Sequence, residues 1–310
     1  MFPVLAVLAA AVLFGTTGTS QALGPDDTTP LSIGAVRLVI GGSGLAVLAF
    51  ALARRHARRR AEAAPRPALG IRPLLLMTST GLCLALYQPL FFLGTARNGV
   101  AVGTVIALGS APILAGLLEW ALTRRLPRAT WMSATALATV GVVMLGFGGE
   151  AGASSGADLV GITGSVGAGA TFAVIANAQR RLLDGGWDPF TVVGAMGASS
   201  ALISACALPF VDLRWLATTP GLVMALWLGV GTISIAYVLF TWGLSGLTAA
   251  TAATLTLGEP LTAAVLGITV LDERLSALAV AGLIVLACGL TLLAWGSRRP
   301  RDPIPFAVEA

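Results

Sequence analysis

The sequence predicts an all-α polytopic membrane protein, with ten transmembrane helices in two inverted five-helix repeats. Three observations lead there. The 310 residues are 56% hydrophobic and only 11% charged, whereas a soluble domain carries about a quarter charged residues. The arginines fall on alternate breaks between the apolar stretches, and the second half of the chain repeats the first.

Crossing the hydrocarbon takes about 20 apolar residues. Hydropathy places such stretches at 2–20, 31–52, 73–93, 99–121, 130–148, 158–177, 189–210, 220–241, 246–270 and 276–296. The first 24 residues have the apolar core and small residues of a signal peptide but no basic leading segment, and are read as a retained first helix. Counting breaks alternately from the N-terminus, one side collects fifteen arginines, within 54–72, 124–128, 180–181 and 298–301. The other side holds Arg97, Arg214 and Arg274, and Arg37 lies inside a span. The positive-inside rule therefore predicts both termini in the cytoplasm; with arginine the only strong base and no lysine anywhere, the chain reads as that of a GC-rich bacterium, and its expected place is the inner membrane. Confinement to loops also argues against nucleic acid as the partner of the basic residues, the RRHARRR tract included.

Two alignments carry the repeat. GVAVGTVIALGSAPIL from Gly99 lies beside LTAATAATLTLGEPLT from Leu247, so that Pro112 falls on Pro260; continuing with one gap, Gly141 falls on Gly289. Upstream, the segment from Pro30 resembles that from Pro189. The predicted division is a first repeat over 1–149, a small polar linker over 150–157, a second repeat over 158–297 and a cytoplasmic tail over 298–310. An odd number of spans per repeat makes the second enter the membrane from the opposite side, an architecture of secondary transporters with the site between the halves.

Several chemistries are excluded. His56 is the only histidine, in what reads as a basic cytoplasmic loop, and Cys83, Cys206 and Cys288 lie in apolar segments without CxxC spacing. No metal site or cofactor is therefore predicted. Walker A is missing and GxGxxG-like matches lack strand context, which argues against an ATP-driven pump.

Glu259 is the sharpest local signal. A charge at the bilayer centre costs about 2.5 to 3.5 kcal/mol on insertion scales, so such a group is normally neutral, paired or facing water. Pro260 removes a backbone donor and excludes the Thr256 carbonyl, which predicts a kink and a freed carbonyl beside the carboxyl. The pair reads either as a port for a proton or polar substrate, or as interhelical glue. Arg37 either attracts a substrate carboxylate or pairs with Asp26, Asp27 or a helix end. Glu119 is expected to pair with Arg124 or sit at the interface. Thr16, Thr17, Tyr87, Gln88, Asn177, Tyr237 and Trp242 are polar or aromatic residues placed to line a cavity, or else to serve as hydrogen-bonders and interfacial aromatics.

The sequence resembles the drug/metabolite transporter superfamily, in particular its EamA-type ten-helix branch, over nearly the whole chain. LFGTTGTSQAL, Pro30 and Arg37 stand where that family opens a repeat, with Phe14 in place of its usual tryptophan. Glu259, Pro260, Asp272, Glu273 and Arg274 match its proline-centred helix and closing turn. The first repeat departs, having Ala111 before Pro112 and Arg124 and Arg125 in the turn, so that two symmetric carboxylate sites are not expected. The resemblance implies a non-enzymatic transporter that exports small metabolites, amino-acid-like or otherwise polar or amphipathic, by alternating access with or without proton coupling. Efflux of hydrophobic cations and a non-transporting receptor or structural protein are the alternatives. Its partners are a small-molecule substrate and the lipid bilayer; the sequence leaves the oligomeric state open, a monomer included.

Overall fold

In the computed structural model, residues 2–59, 67, 69–148 and 158–296 are described. The predicted linker 150–157, the tail 298–310 and five of the fifteen arginines predicted to share one side (Arg60, Arg66, Arg298, Arg299 and Arg301) lie outside them. Among the described residues, ten helical segments are long and apolar enough to cross a membrane. In order, the helices of the first half are α1 (Phe2–Ala22), α2 (Pro30–Arg59), α3 (Ile71–Asn98), α4 (Val100–Thr123) and α5 (Ala129–Phe147). The second half begins with α6 (Leu159–Asp184) and α7 (Pro189–Ala205). Its eighth span is α8 (Thr219–Leu226), a π-helical segment (Trp227–Ile235) and α9 (Ala236–Leu244) in series. The ninth is α10 (Ala249–Leu255) followed by α11 (Gly258–Val270), and the tenth is α12 (Ala277–Gly296).

Two helices outrun their apolar stretches by seven residues each, to Arg59 and Asp184. Arginine and alanine are good helix formers, so ALARRHARR continues α2 to Arg59; His56 thus sits on a helix rather than in a loop, with Nδ1 2.6 Å from Asp188 Oδ1. α6 likewise runs on to Asp184, which pairs with Arg180 one turn back. Side-chain caps fix the starts in the second half. Asp158 accepts from the Val160 N–H at 2.9 Å to begin α6, and Asp188 from the Thr191 N–H at 3.0 Å to begin α7, where Pro189 supplies the first turn.

The packing is the same when the halves are exchanged. α2 packs on α7 and α5 on α12, which are corresponding spans. α3 packs on α6 as the π segment and α9 pack on α1, and α4 packs on α6 as α10 and α11 pack on α1. Glycines permit the closest of these approaches. A β-carbon at Gly141 would lie 2.5 Å from the Leu286 backbone nitrogen, and one at Gly289 would lie 2.7 Å from the Ala138 nitrogen. The two glycines aligned by the repeat therefore form one α5–α12 contact from both sides, of the kind that holds membrane helices together where no hydrophobic force does. Gly141→Val or Gly289→Val forces backbone apart, and overpacking of this sort costs about 1 to 3 kcal/mol. Thermal unfolding of the detergent-solubilised protein should show the loss; an unchanged melting temperature for both variants would mean the contact is dispensable.

Candidate functional site

Helix α1 is integral to the bundle: it packs on α9, α10 and α11, and its second half forms one wall of a cavity of about 390 Å³ between the halves. That size suits a small metabolite. Lining positions run from Phe14 to Gln21 on α1, from Leu84 to Phe92 on α3 and from Val100 to Ala111 on α4. The cavity therefore extends from mid-bundle toward the end where α1 and α3 finish and α4 begins.

Its walls are largely apolar and aromatic, including Phe14, Phe91, Phe92 and Phe172. At the deep end, Phe14 meets Tyr237 edge-on at 5.2 Å, and Tyr237 and Phe172 pack on fully buried Phe240 at 6.2 and 5.6 Å. Polar ties draw the bundle together around the α9–α10 connection. Arg180 Nη1 donates to the carbonyls of Leu244 and Ser245 at 2.8 and 2.9 Å, completing the carbonyl end of α9. Glu119 accepts from the Ala250 N–H at 2.9 Å in the first turn of α10. Trp131 Nε1 donates to Thr254 Oγ1 at 3.1 Å, and Thr135 Oγ1 lies 2.9 Å from the same oxygen. Glu119 thus bonds across helices, to a partner that lies 131 residues away in sequence.

Arg37 and Glu259 both line the cavity, as do Tyr87 and Tyr237. No contact ion pair joins them: the ion pairs among the described residues are His56–Asp188, Arg97–Asp158 and Arg180–Asp184. Arg37 therefore pairs with neither Asp26 nor Asp27, and its buried Nε has no hydrogen-bond partner. Thr17 Oγ1 is a second buried polar atom without a partner, on the same cavity wall. Buried polar groups are nearly always satisfied; Thr139 Oγ1 and Ser165 Oγ are likewise without a partner, and of the four only Arg37 and Thr17 line the cavity.

Around Pro260, where the sequence predicts a kink, the ninth span breaks into two helices. α10 ends at Leu255 and α11 restarts at Gly258, exposing Thr256 and Leu257 to the cavity with Glu259 in the first turn beyond. The Thr256 carbonyl is not free, however. It accepts from the Glu259 N–H at 2.9 Å, so that oxygen is bonded within the break itself. Pro112, aligned with Pro260, sits inside an uninterrupted α4, and its neighbour Ala111 lines the cavity as Glu259 does. Equivalent places thus carry a methyl group in one half and a carboxyl in the other.

Of the sequence-predicted residues, Arg37, Thr17, Tyr87, Gln88, Tyr237 and Glu259 converge on the cavity. Pro260 is buried in α11 without lining it. Three others lie elsewhere. Thr16 Oγ1 donates to the Leu13 carbonyl and accepts from Trp227 Nε1 at 3.0 Å, tying α1 to the π segment. Asn177 donates to the carbonyls of Ala115 and Ala173 at 3.1 and 3.0 Å, joining α6 to α4. Trp242 stands 40% exposed on the outer face of α9. Gly18, Gln21 and Thr104 are lining residues that sequence reasoning missed; Gln21, one helical turn beyond Thr17, was within reach of the α-helical period.

Comparison with known proteins bears on this geometry. Residues 1–147 and 159–295 each match the EamA-like transporter family. A relative from Bacillus subtilis (strain 168), described as "Uncharacterized transporter YwfM", is 38% identical over 300 residues, covering 96% of this chain and 95% of that protein. A protein of known crystal structure superposes with a TM-score of 0.76 over 96% of this chain and 98% of its own, and at 18% identity that likeness concerns the fold.

Proposed function

The chain belongs to the EamA-like transporter family, and from that premise we propose that it is a secondary transporter exporting small amphipathic metabolites, amino-acid-like solutes among them, by alternating access. The observation that carries this reading is the cavity between the halves, in which a guanidinium and a carboxyl face the same space without pairing. A solute with an anionic and a cationic group could engage Arg37 and Glu259 at once while its apolar part meets Phe14, Phe91 and Phe172. The chain does no covalent chemistry in this reading.

The arginine asymmetry supports an inner-membrane placement with cytoplasmic termini. Arg180, Glu119, Trp131 and Thr254 then lie toward the cytoplasm, and the cavity faces outward. Release of their ties to the α9–α10 connection would be the step that opens the other side. Glu259 is the group proposed to exchange a proton for the solute.

Efflux of hydrophobic cations is the second reading, favoured by the aromatic walls beside a carboxyl. The Arg37 guanidinium opposes it by repelling a cation in the same low-dielectric space. Counterflow in proteoliposomes separates the two: labelled zwitterionic solutes should exchange and quaternary ammonium dyes should not. The reverse pattern supports cation efflux, and inactivity toward both sinks the transport reading.

A further inference from the structure

We infer that residue 18 sets the largest solute the cavity admits, an inference that rests on the cavity being the transport site. A helical glycine is kept for one of three physical reasons: a positive φ, a backbone approach too close for a β-carbon, or space. The first does not apply, since the positive-φ glycines among the described residues are Gly99 and Gly186. The second applies to Gly15 but not to Gly18. A β-carbon at Gly15 would lie 2.6 Å from Thr262 Cβ and 2.7 Å from the Glu259 carbonyl oxygen, so Gly15 lets α1 approach α11 beside the carboxyl. One turn on, a β-carbon at Gly18 would meet no atom within 4 Å.

Space is what remains. Gly18 is exposed, lines the cavity, and stands on the wall that also carries Thr17 and Gln21. Glycine weakens a helix relative to alanine, so at this position it sacrifices helix stability without any packing return. Its structural effect is to leave open the volume that a side chain on the last turns of α1 would fill. Every added carbon at residue 18 therefore subtracts from the room for solute in the cavity that Thr17, Phe92 and Thr104 also line.

The experiment compares wild type with Gly18→Ala, Gly18→Val and Gly18→Leu, full length, in proteoliposomes. Two homologous probe series are used: zwitterionic amino acids from glycine to tryptophan, and tetraalkylammonium ions from tetramethyl to tetrabutyl. In whichever series the wild type moves, the ratio of large-solute to small-solute uptake should fall stepwise with the side chain, by about tenfold or more for Gly18→Leu. Melting temperatures should hold or rise. A ratio constant across the variants overturns the inference while leaving the transport reading intact. Melting temperatures that fall with side-chain size overturn it too, because residue 18 would then be packed. If the wild type moves neither series, the transport reading falls and the size limit falls with it.

Discussion

Arg37→Met should reduce uptake of carboxylate-bearing solutes by about 10- to 150-fold, the loss expected for a charge-assisted hydrogen bond worth about 1.5 to 3 kcal/mol. Arg37 brings a guanidinium to the cavity from about two turns inside α2, and its buried Nε has no partner. Placing an unpaired charge there costs folding energy that methionine would not. The melting temperature of the solute-free protein should therefore stay level or rise as transport collapses. Arg37→Lys retains the charge without the planar fork and should recover part of the activity. If Arg37→Met instead lowers the melting temperature and leaves the solute concentration dependence unchanged, the arginine is a structural pairing group and the anion site lies elsewhere.

Glu259→Gln should uncouple transport from the proton gradient. The amide keeps the size and hydrogen-bonding reach of the carboxyl but cannot carry a proton between the two sides. With purified protein in liposomes, an imposed pH gradient should drive uptake by wild type and give no stimulation in the variant, while downhill exchange persists. Gradient-insensitive transport by both proteins would make the protein a facilitator and Glu259 a polar wall group. The carboxyl has no ion-pair contact, and the Thr256 carbonyl in the backbone break already accepts from the Glu259 N–H. The substitution should therefore cost little stability, which keeps the transport result interpretable.

Some of the site was legible in single residues. Arg37 and Glu259 stand out because a charge in hydrocarbon is costly enough to need a reason, and Pro260 points to the distortion beside Glu259 because its ring removes a backbone donor and crowds the carbonyl four residues back, although Pro112 does the same within an unbroken α4. Thr16 and Thr17 show where this legibility ends. They are adjacent and chemically identical, yet the first bonds to Leu13 and Trp227 while the second lines the cavity. A helix turns about 100° per residue, so one position decides between a neighbouring helix and the solute's space. Tyr237 and Trp242 separate in the same way, one on the cavity and one on the outer face.

The sequence by itself determined the all-α class, the ten apolar spans and the halves with their aligned Pro112 and Pro260 and Gly141 and Gly289. Those features depend on length, apolarity and repetition, which are additive along a chain. Only the tertiary structure decided which face of each helix borders the cavity, that Asn177 and Glu119 bond across helices, and that Gly15 is packed where Gly18 is open. The physical reason is the solvent. In water an apolar stripe tells a helix's inner face from its outer one, but in a bilayer lipid and bundle interior are both apolar, and the inward face is set by the neighbours that pack against it.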